Sequence, residues 1–304
     1  MLFESRVDDG PREVESEVTS AVPRRSAARR ACVLACMLSM VMLAGCGREI
    51  SGAPADTTTR INVVGSSTLA PLMGEIAKRF ESSHPGLHVD VQAGGSARGL
   101  IDVRQGVAQI GMVSRALKAD ESDLAHVLVG RDGLSIIVHA TNPLQEIDKA
   151  NIVAIFSGKV TNWKQVGGAD LPITVISKAE GRSTLEIFSQ YFGLPSRAIR
   201  AQVIIGDNQQ GIQTVAGAPG SIGYVSIGAA EYEAAHGTAI KLLALDGHVP
   251  STSNVASGSY PITRELNLVF KAPATPPVRA LLDMAQSPQV ADLIKAQFFV
   301  RPAH

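Results

Sequence analysis

Three short segments of this chain combine glycine with serine or threonine, and each is suited to offering hydrogen-bond donors to an anion. A helix start carries unpaired backbone N–H groups and the positive end of the helix dipole, both of which favour negative charge. A hydroxyl adds an O–H donor, and glycine lets the backbone approach a ligand closely. The segments are Gly65-Ser66-Ser67-Thr68, Gly94-Gly95-Ser96 and Gly181-Arg182-Ser183-Thr184.

The same hydroxyl side chains are also ordinary helix N-caps. Each segment taken alone is therefore compatible with simple capping as well as with anion binding. The spacing of these residues leaves both interpretations open.

The elements around these segments predict how they are positioned. A β-branched run over 60–64 ends at Gly65, and apolar residues at helical spacing predict a helix over about 68–83. Strand and helix patterns then alternate along the chain, which predicts an α/β fold with mostly parallel sheets and crossover helices. In an open α/β sheet, ligands bind beyond the carboxyl ends of the strands, so the three segments are expected to converge.

Seven stretches occur in order along the chain, and together they carry a specific resemblance. They are VGSSTLAP at 64–71, GGSARG at 94–99, IGMVSR at 110–115, IFSGKVTNW at 155–163, EGRST at 180–184, PGSIGYV at 219–225 and YPITR at 260–264. The set resembles the phosphate-binding proteins of bacterial phosphate ABC importers.

The resemblance implies a two-lobe periplasmic-binding-protein fold of type II, in which the chain crosses between the lobes twice. It places lobe 1 at 60–137 plus 259–304 and lobe 2 at 138–258. It also makes Trp163 a packing residue of lobe 2. By position it implies these ligand-binding residues: Ser67, Thr68, Ser96, Ser114, Lys178, Arg182, Ser183 and Thr184.

The sequence departs from the family at several of these positions. Ser114 stands where well-studied members carry an aspartate that accepts a hydrogen bond from protonated phosphate and repels an unprotonated anion. Lys178 stands in place of an arginine and lacks the bidentate fork. Arg182 replaces a serine, and Ser183 replaces a glycine. Arg182 and Arg115 are candidates for restoring positive charge, although each is also compatible with a surface arginine.

The N-terminal residues predict export. Arginines at 24, 25, 29 and 30 precede an apolar run over 31–45, which is too short to span a membrane and typical of a secretory signal. Leu43-Ala44-Gly45-Cys46 resembles a bacterial lipobox, which implies cleavage before Cys46 and lipidation of its sulfur. A plain secretory signal or a short anchor helix is the alternative. We therefore expect residues 1–46 to comprise an unusual acidic extension over 1–23 and the signal peptide, followed by a small polar tether over 47–59.

Composition excludes several classes of function. Lys plus Arg equals Asp plus Glu, 28 against 28, which argues against a nucleic-acid coat or an electrostatic membrane binder. All three cysteines lie within the first 46 residues, so a cysteine-based metal site in the remainder is excluded. We expect no cofactor, no metal and a monomer whose membrane contact is the lipid anchor alone.

The expected function is extracytoplasmic capture of phosphate, or a related tetrahedral oxyanion, and its delivery to an ABC importer permease. A sensor or surface protein on the same fold is the alternative. A serine hydrolase is disfavoured because no G-x-S-x-G motif occurs. The expectation is thus a binding protein without catalytic residues.

Overall fold

The computed structural model describes residues 59–302. In the first part of the fold, strands and helices alternate in the order β1 (Thr59–Gly65), α1 (Ala70–Ser83), β2 (Leu87–Ala93), α2 (Ser96–Gln105) and β3 (Ile110–Val113). β1 pairs in parallel with β2 and β3, and Gly65 lies beside Ala93 on one side and Met112 on the other. The carboxyl ends of these three strands therefore meet at one edge of the sheet.

A second alternating run builds the other half. Its elements are β5 (Glu146–Ile147), α3 (Lys149–Phe156), β6 (Thr174–Lys178), α4 (Ser183–Phe192), β7 (Val203–Ile205), α5 (Asn208–Ala216), β8 (Ser221–Ser226), α6 (Ile227–Ala235), β9 (Ile240–Leu245) and α7 (Thr252–Ser257). β6 pairs in parallel with β7 and β8, and Lys178 lies beside Ile205. The loops after β6 and β7 consequently leave from the same edge.

One long strand joins the two halves. β4 (Ala125–His139) pairs antiparallel with β10 (Thr263–Phe270) over 125–133 and with β8 and β9 over 134–139. The chain closes with α8 (Pro276–Gln286) and α9 (Ala291–Ala296) in the first half. We call the elements β1–β3, the first part of β4, β10, α8 and α9 lobe 1, and the elements from the second part of β4 to α7 lobe 2.

The predicted α/β class is confirmed, and five of the nine strand pairings in residues 59–302 are parallel. The change of pairing partner lies between Gly133 and Leu134. The boundaries at 137/138 and 258/259 stay predictions. The predictions for segment 1–46, for Cys46 and for nearly all of tether 47–59 fall outside the described residues.

Each lobe has an apolar core of its own. In lobe 1, α1 and α8 bury Phe80 and Leu281 against the sheet. In lobe 2, Phe188 of α4 stacks on Tyr224 of β8 with ring centroids 4.1 Å apart, which fixes α4 on the sheet. Trp163 is fully buried in the lobe 2 core, and its Nε1 donates to the Gly220 carbonyl at 3.0 Å, as expected for a packing residue.

A search of residues 59–302 for a helix with the length and apolarity of a membrane span finds none.

Candidate anion-binding site

Backbone hydrogen bonds hold the strand-end loops of lobe 1 together. The Gly65 carbonyl accepts from the N–H groups of Gly94 and Gly95, each at 2.8 Å. The Ser66 N–H donates to the Met112 carbonyl, also at 2.8 Å. The parallel register brings the three loops side by side, and these bonds keep them there.

Four of the predicted ligand residues lie in these loops. Thr68, Ser96 and Ser114 are buried, and Ser67 is half-buried. The Ser114 N–H donates to Ser96 Oγ at 3.3 Å. The Ser96 hydroxyl therefore accepts from the protein and keeps its own hydrogen for another partner.

The hydroxyls do not cap the helices that follow them. The N-cap positions of α1, α2 and α4 are Leu69, Gly95 and Arg182, and none of them makes a side-chain cap. Elsewhere in the fold, Asp148 and Asp207 cap α3 and α5 in the ordinary way. Just before α1, Ser66 Oγ accepts from the Thr68 N–H at 3.2 Å. Within residues 59–302 the capping interpretation is wrong for α2 and α4, whose N-cap residues make no side-chain cap.

The start of α4 contains a buried hydroxyl with no partner. Ser183 is the first residue of the helix and is 2% exposed, and its Oγ has no hydrogen bond within residues 59–302. Unpaired buried polar groups are rare in native structures. Because this one lies at a helix N-terminus, where an anion is favoured, it marks a place for a charged ligand.

Lys178 supplies a cation from the end of β6. Its backbone N–H donates to the Tyr224 hydroxyl at 3.2 Å, and its Nζ donates to Asn208 Oδ1 at 2.9 Å. Burial, and secondarily the positive charge of Arg264, lowers the pKa of Lys178 to about 7. An anion bound beside this ammonium would oppose both effects and favour the charged form.

Three further residues complete the site, and the sequence predictions missed them. Arg264 of β10 donates from NH1 to Thr184 Oγ1 and from NH2 to Thr68 Oγ1, both at 3.0 Å. The Asp132 carboxylate binds the same guanidinium, with Oδ2 2.6 Å from NH2. Asn208 at the start of α5 donates from Nδ2 to Thr68 Oγ1 at 3.1 Å.

The three missed residues differ in how strongly the sequence indicates a role for them. Asp132 is a charged residue at the entrance of a long apolar strand, which is itself a signal because a buried charge needs a partner. Arg264 ends the YPITR stretch, which served only to mark the return crossing. Asn208 follows an ordinary capping aspartate, and nothing in its sequence context indicates a role in the site.

The two candidate arginines have different environments. Arg115 is buried and binds both carboxylate oxygens of Glu121 at 2.7 Å, and its Nε lies 3.1 Å from Glu186 Oε2. Its charge is therefore compensated by carboxylates. Arg182 is half-buried, packs against Gly95, and adds a positive charge that lowers the pKa of Lys178.

Loops from the two lobes touch each other. The Ala97 N–H of lobe 1 donates to the Gly181 carbonyl of lobe 2 at 3.2 Å. Arg264 and Asn208 link the Thr68 hydroxyl of lobe 1 to lobe 2 residues. These contacts link Thr68, Thr184 and Lys178 through Arg264 and Asn208. Ser96 and Ser114 form a second bonded pair, next to Ala97 and its bond to Gly181. We call the region between these loops of the two lobes the cleft.

No group of three or more His, Cys, Asp or Glu side chains within residues 59–302 is arranged to hold a metal ion.

Two α/β lobes joined by crossing strands, with strand-end loops enclosing a cationic cleft, define a solute-binding protein of the periplasmic-binding-protein class. A family model described as PBP superfamily domain matches residues 52–295. Phosphate-binding protein PstS of Bacillus subtilis is 30% identical over 235 residues, which are 76% of each chain. The chain belongs to the phosphate-binding protein family of this superfamily.

Other relatives agree with this assignment. Phosphate-binding protein PstS of Borreliella burgdorferi is 24% identical over 90% of this chain and 98% of its own length. A structure from Clostridium perfringens, described as a phosphate ABC transporter substrate-binding protein with bound phosphate, has a TM-score of 0.75 and 27% identity. It covers 81% of this chain and 100% of that one. A phosphate transport receptor of Vibrio cholerae has a TM-score of 0.65 and 26% identity, with 80% and 100% covered. The expected two-lobe fold is thereby confirmed.

Proposed function

We propose that this protein captures inorganic phosphate, or a related tetrahedral oxyanion, between its lobes and delivers it to the permease of an ABC importer. The observation that carries the proposal is the uncapped start of α4, where the unpartnered Ser183 hydroxyl lies one residue from the contact between Thr184 and Arg264. Membership of the phosphate-binding protein family supports the choice of ligand.

The geometry suits capture by closure. Lobe 1 supplies hydroxyls from Thr68 and Ser96, and lobe 2 supplies the α4 start and Lys178. Closing the lobes removes water from the anion, which strengthens each hydrogen bond in the cleft. Each charge-assisted bond contributes about 1.5–3 kcal/mol net, so about six of them suffice for micromolar binding after the cost of ordering.

A calorimetric titration of the purified full chain with phosphate tests this function. Ser96→Ala and Lys178→Ala should each weaken phosphate binding. Ser157→Ala and Lys164→Ala remove matched groups that lie in lobe 2 away from the cleft, and both should bind like the parent. If neither cleft variant differs from the parent, the site assignment is wrong.

We also propose that binding proceeds without catalysis. A nucleophilic serine needs a base within hydrogen-bond reach, and no histidine of residues 59–302 bonds to a cleft hydroxyl. Incubation with acyl and phosphoryl esters should release no product. Turnover that disappears in Ser183→Ala would contradict the proposal.

Export and anchoring form a separate proposal that rests on residues 1–46. We propose that the chain is cleaved before Cys46, lipidated on that cysteine, and held as a monomer at the outer face of a membrane. Cys46→Ser should move the protein from the membrane fraction to the soluble fraction. Light scattering of the soluble form measures its oligomeric state.

A further inference from the structure

Asp132, which Arg264 links to the cleft hydroxyls, is bonded to protein donors and buried from solvent. The Asp132 side chain is 1% exposed, and its Oδ2 accepts from Arg264 Nε at 2.9 Å, from Arg264 NH2 at 2.6 Å and from Ser226 Oγ at 2.8 Å. Its Oδ1 accepts from the Gly228 N–H at 3.1 Å. Three donors saturate Oδ2, one occupies Oδ1, and the side chain is almost fully buried, so this carboxylate is committed to protein partners.

The hydroxyls around the cleft are arranged as donors. Thr68 Oγ1 accepts from Asn208 and Arg264, and Thr184 Oγ1 accepts from Arg264. Ser96 Oγ accepts from the Ser114 N–H. Once an oxygen accepts from an N–H group, its own hydrogen is free to donate to an anion.

Other carboxylates close to the cleft already have partners. Glu186 lies 2.7 Å from Lys118 Nζ and 3.1 Å from Arg115 Nε. Asp207 accepts the capping bond from the Gln210 N–H at 2.8 Å. Glu180, in the loop before α4, is exposed. The side chains that join the loops of the two lobes at Thr68 and Thr184 present neutral hydroxyls, which can donate as well as accept.

Resting on the proposed function, we propose that the cleft takes tetrahedral oxyanions that carry two full charges and no proton, sulfate among them, about as readily as it takes phosphate. A site of donors and cations favours every oxygen of such a dianion. To reject an unprotonated dianion such as sulfate, a site needs an unpaired acceptor or a negatively charged group facing the bound anion. Such unfavourable contacts are what would make the site prefer phosphate over sulfate.

The test compares sulfate with phosphate by calorimetry on the purified full chain. We expect the two dissociation constants to lie within about tenfold of each other, since no like-charge contact separates the two anions. The inference is overturned if phosphate binds and sulfate is weaker by about a hundredfold or more. If neither anion binds, the proposed function itself fails, so the two failures are distinguishable.

Ser114→Asp provides the converse test, because Ser114 is buried and bonded through its N–H to Ser96. A carboxylate there should weaken sulfate by about a hundredfold while it accepts the proton of phosphate, whose affinity should change less than tenfold. Ser114→Asn introduces a side chain of the same shape as aspartate without its charge, so it should lose much less sulfate affinity than Ser114→Asp. Equal losses for both anions in Ser114→Asp would contradict the inference. If that variant does not fold, as judged by its thermal unfolding, the sulfate-to-phosphate ratio of the parent decides alone.

Discussion

The Asp132 carboxylate and the Arg264 guanidinium form a doubly bonded ion pair between the two strands that connect the lobes. Oδ2 lies 2.9 Å from Nε and 2.6 Å from NH2, and both side chains are 1% exposed. The same guanidinium donates to Thr68 of lobe 1 and Thr184 of lobe 2. The pair thus links the crossing strands directly to the binding loops of both lobes.

Breaking this pair should be costly for folding. Asp132→Asn leaves Arg264 buried without its counter-charge, and we expect a loss of about 3–5 kcal/mol in the free energy of unfolding, measured with urea. Asp123→Asn removes an exposed partner of Arg104 and should leave the unfolding midpoint unchanged. Equal midpoints for the parent and Asp132→Asn would show that the pair does not stabilise the fold.

The unpartnered hydroxyl of Ser183 should matter for binding and not for stability. Ser183→Ala removes a buried O–H that has no partner among residues 59–302, so the unfolding free energy should stay level or rise. The lost bond to the anion should weaken binding by about 1.5–3 kcal/mol in calorimetry. Ser189 lies on the same helix and also has a buried, unpaired Oγ. Because it is almost two turns further along, Ser189→Ala should bind phosphate normally, and a similar loss in both variants would refute this assignment.

Binding should depend on pH through Lys178. Its pKa is about 7 in the folded protein against an ordinary value of 10.5, so the empty cleft loses the ammonium as the pH rises through 7. A bound anion raises that pKa, and binding above pH 7 therefore takes up a proton. Affinity should fall with rising pH by up to about tenfold per unit.

Lys178→Arg is the control, since arginine stays charged over this range. Phosphate itself titrates in this range, but it does so equally for both proteins. The phosphate affinity of the parent divided by that of Lys178→Arg therefore reports on Lys178 alone, and this ratio should fall above pH 7. The free energy of unfolding of the ligand-free parent should instead increase as the pH rises above 7. The folded state penalises the ammonium below pH 7, and that penalty disappears as the pH rises from 7 to 10.5. A ratio that is flat with pH would contradict the role of Lys178.

The sequence could predict most of the elements that build the first loops. The helix expected over about 68–83 is α1 (Ala70–Ser83), because its apolar residues repeat at helical spacing. The apolar, β-branched run over 134–138 forms the second part of the much longer β4. Its first part has a mixed pattern with Arg131 and Asp132, since only pairing with β10 makes it a strand.

The site residues also divide into those that a local sequence pattern indicates and those that only long-range strand pairing brings into place. Thr68, Ser96 and Ser183 stand in local strand-to-helix turns, whose glycines and hydroxyls are visible in the sequence. Arg264 and Asp132 reach the site through strand pairing across 132 residues of chain, which no local pattern records. Long-range pairing is the information that the sequence pattern lacked.

Glu186 should help hold the lobes together. Its carboxylate on α4 lies 2.7 Å from Lys118 and 3.1 Å from Arg115, both of lobe 1. Glu186 is partly exposed, so Glu186→Gln should weaken phosphate binding by no more than about fivefold. Small-angle X-ray scattering should show a larger radius of gyration for the variant at subsaturating phosphate.

Asp170→Asn, which removes a surface pair with Lys164 within lobe 2, is the matched control and should change neither quantity. An unchanged radius together with unchanged affinity in Glu186→Gln would show that these contacts do not favour closure.

Gly95 should be required for the lobes to close. Its φ is +93°, and a Cβ there would lie 2.9 Å from Cδ of Arg182 and 3.0 Å from the Gly181 carbonyl, both of lobe 2. Gly95→Ala therefore causes a backbone strain of about 1–3 kcal/mol and also places an obstruction between the lobes.

Gly106 provides the control. It also has a positive φ, +76°, but a Cβ there meets nothing within 4 Å. Gly106 is left-handed helical with ψ +11°, whereas Gly95 has ψ +153°, a conformation open essentially to glycine, so Gly106→Ala carries a smaller strain and no obstruction. Gly95→Ala should lose more stability in urea, and it alone should lose phosphate binding in calorimetry. Equal phosphate affinities in the two variants would mean that the approach of Gly95 to Arg182 is not needed for closure.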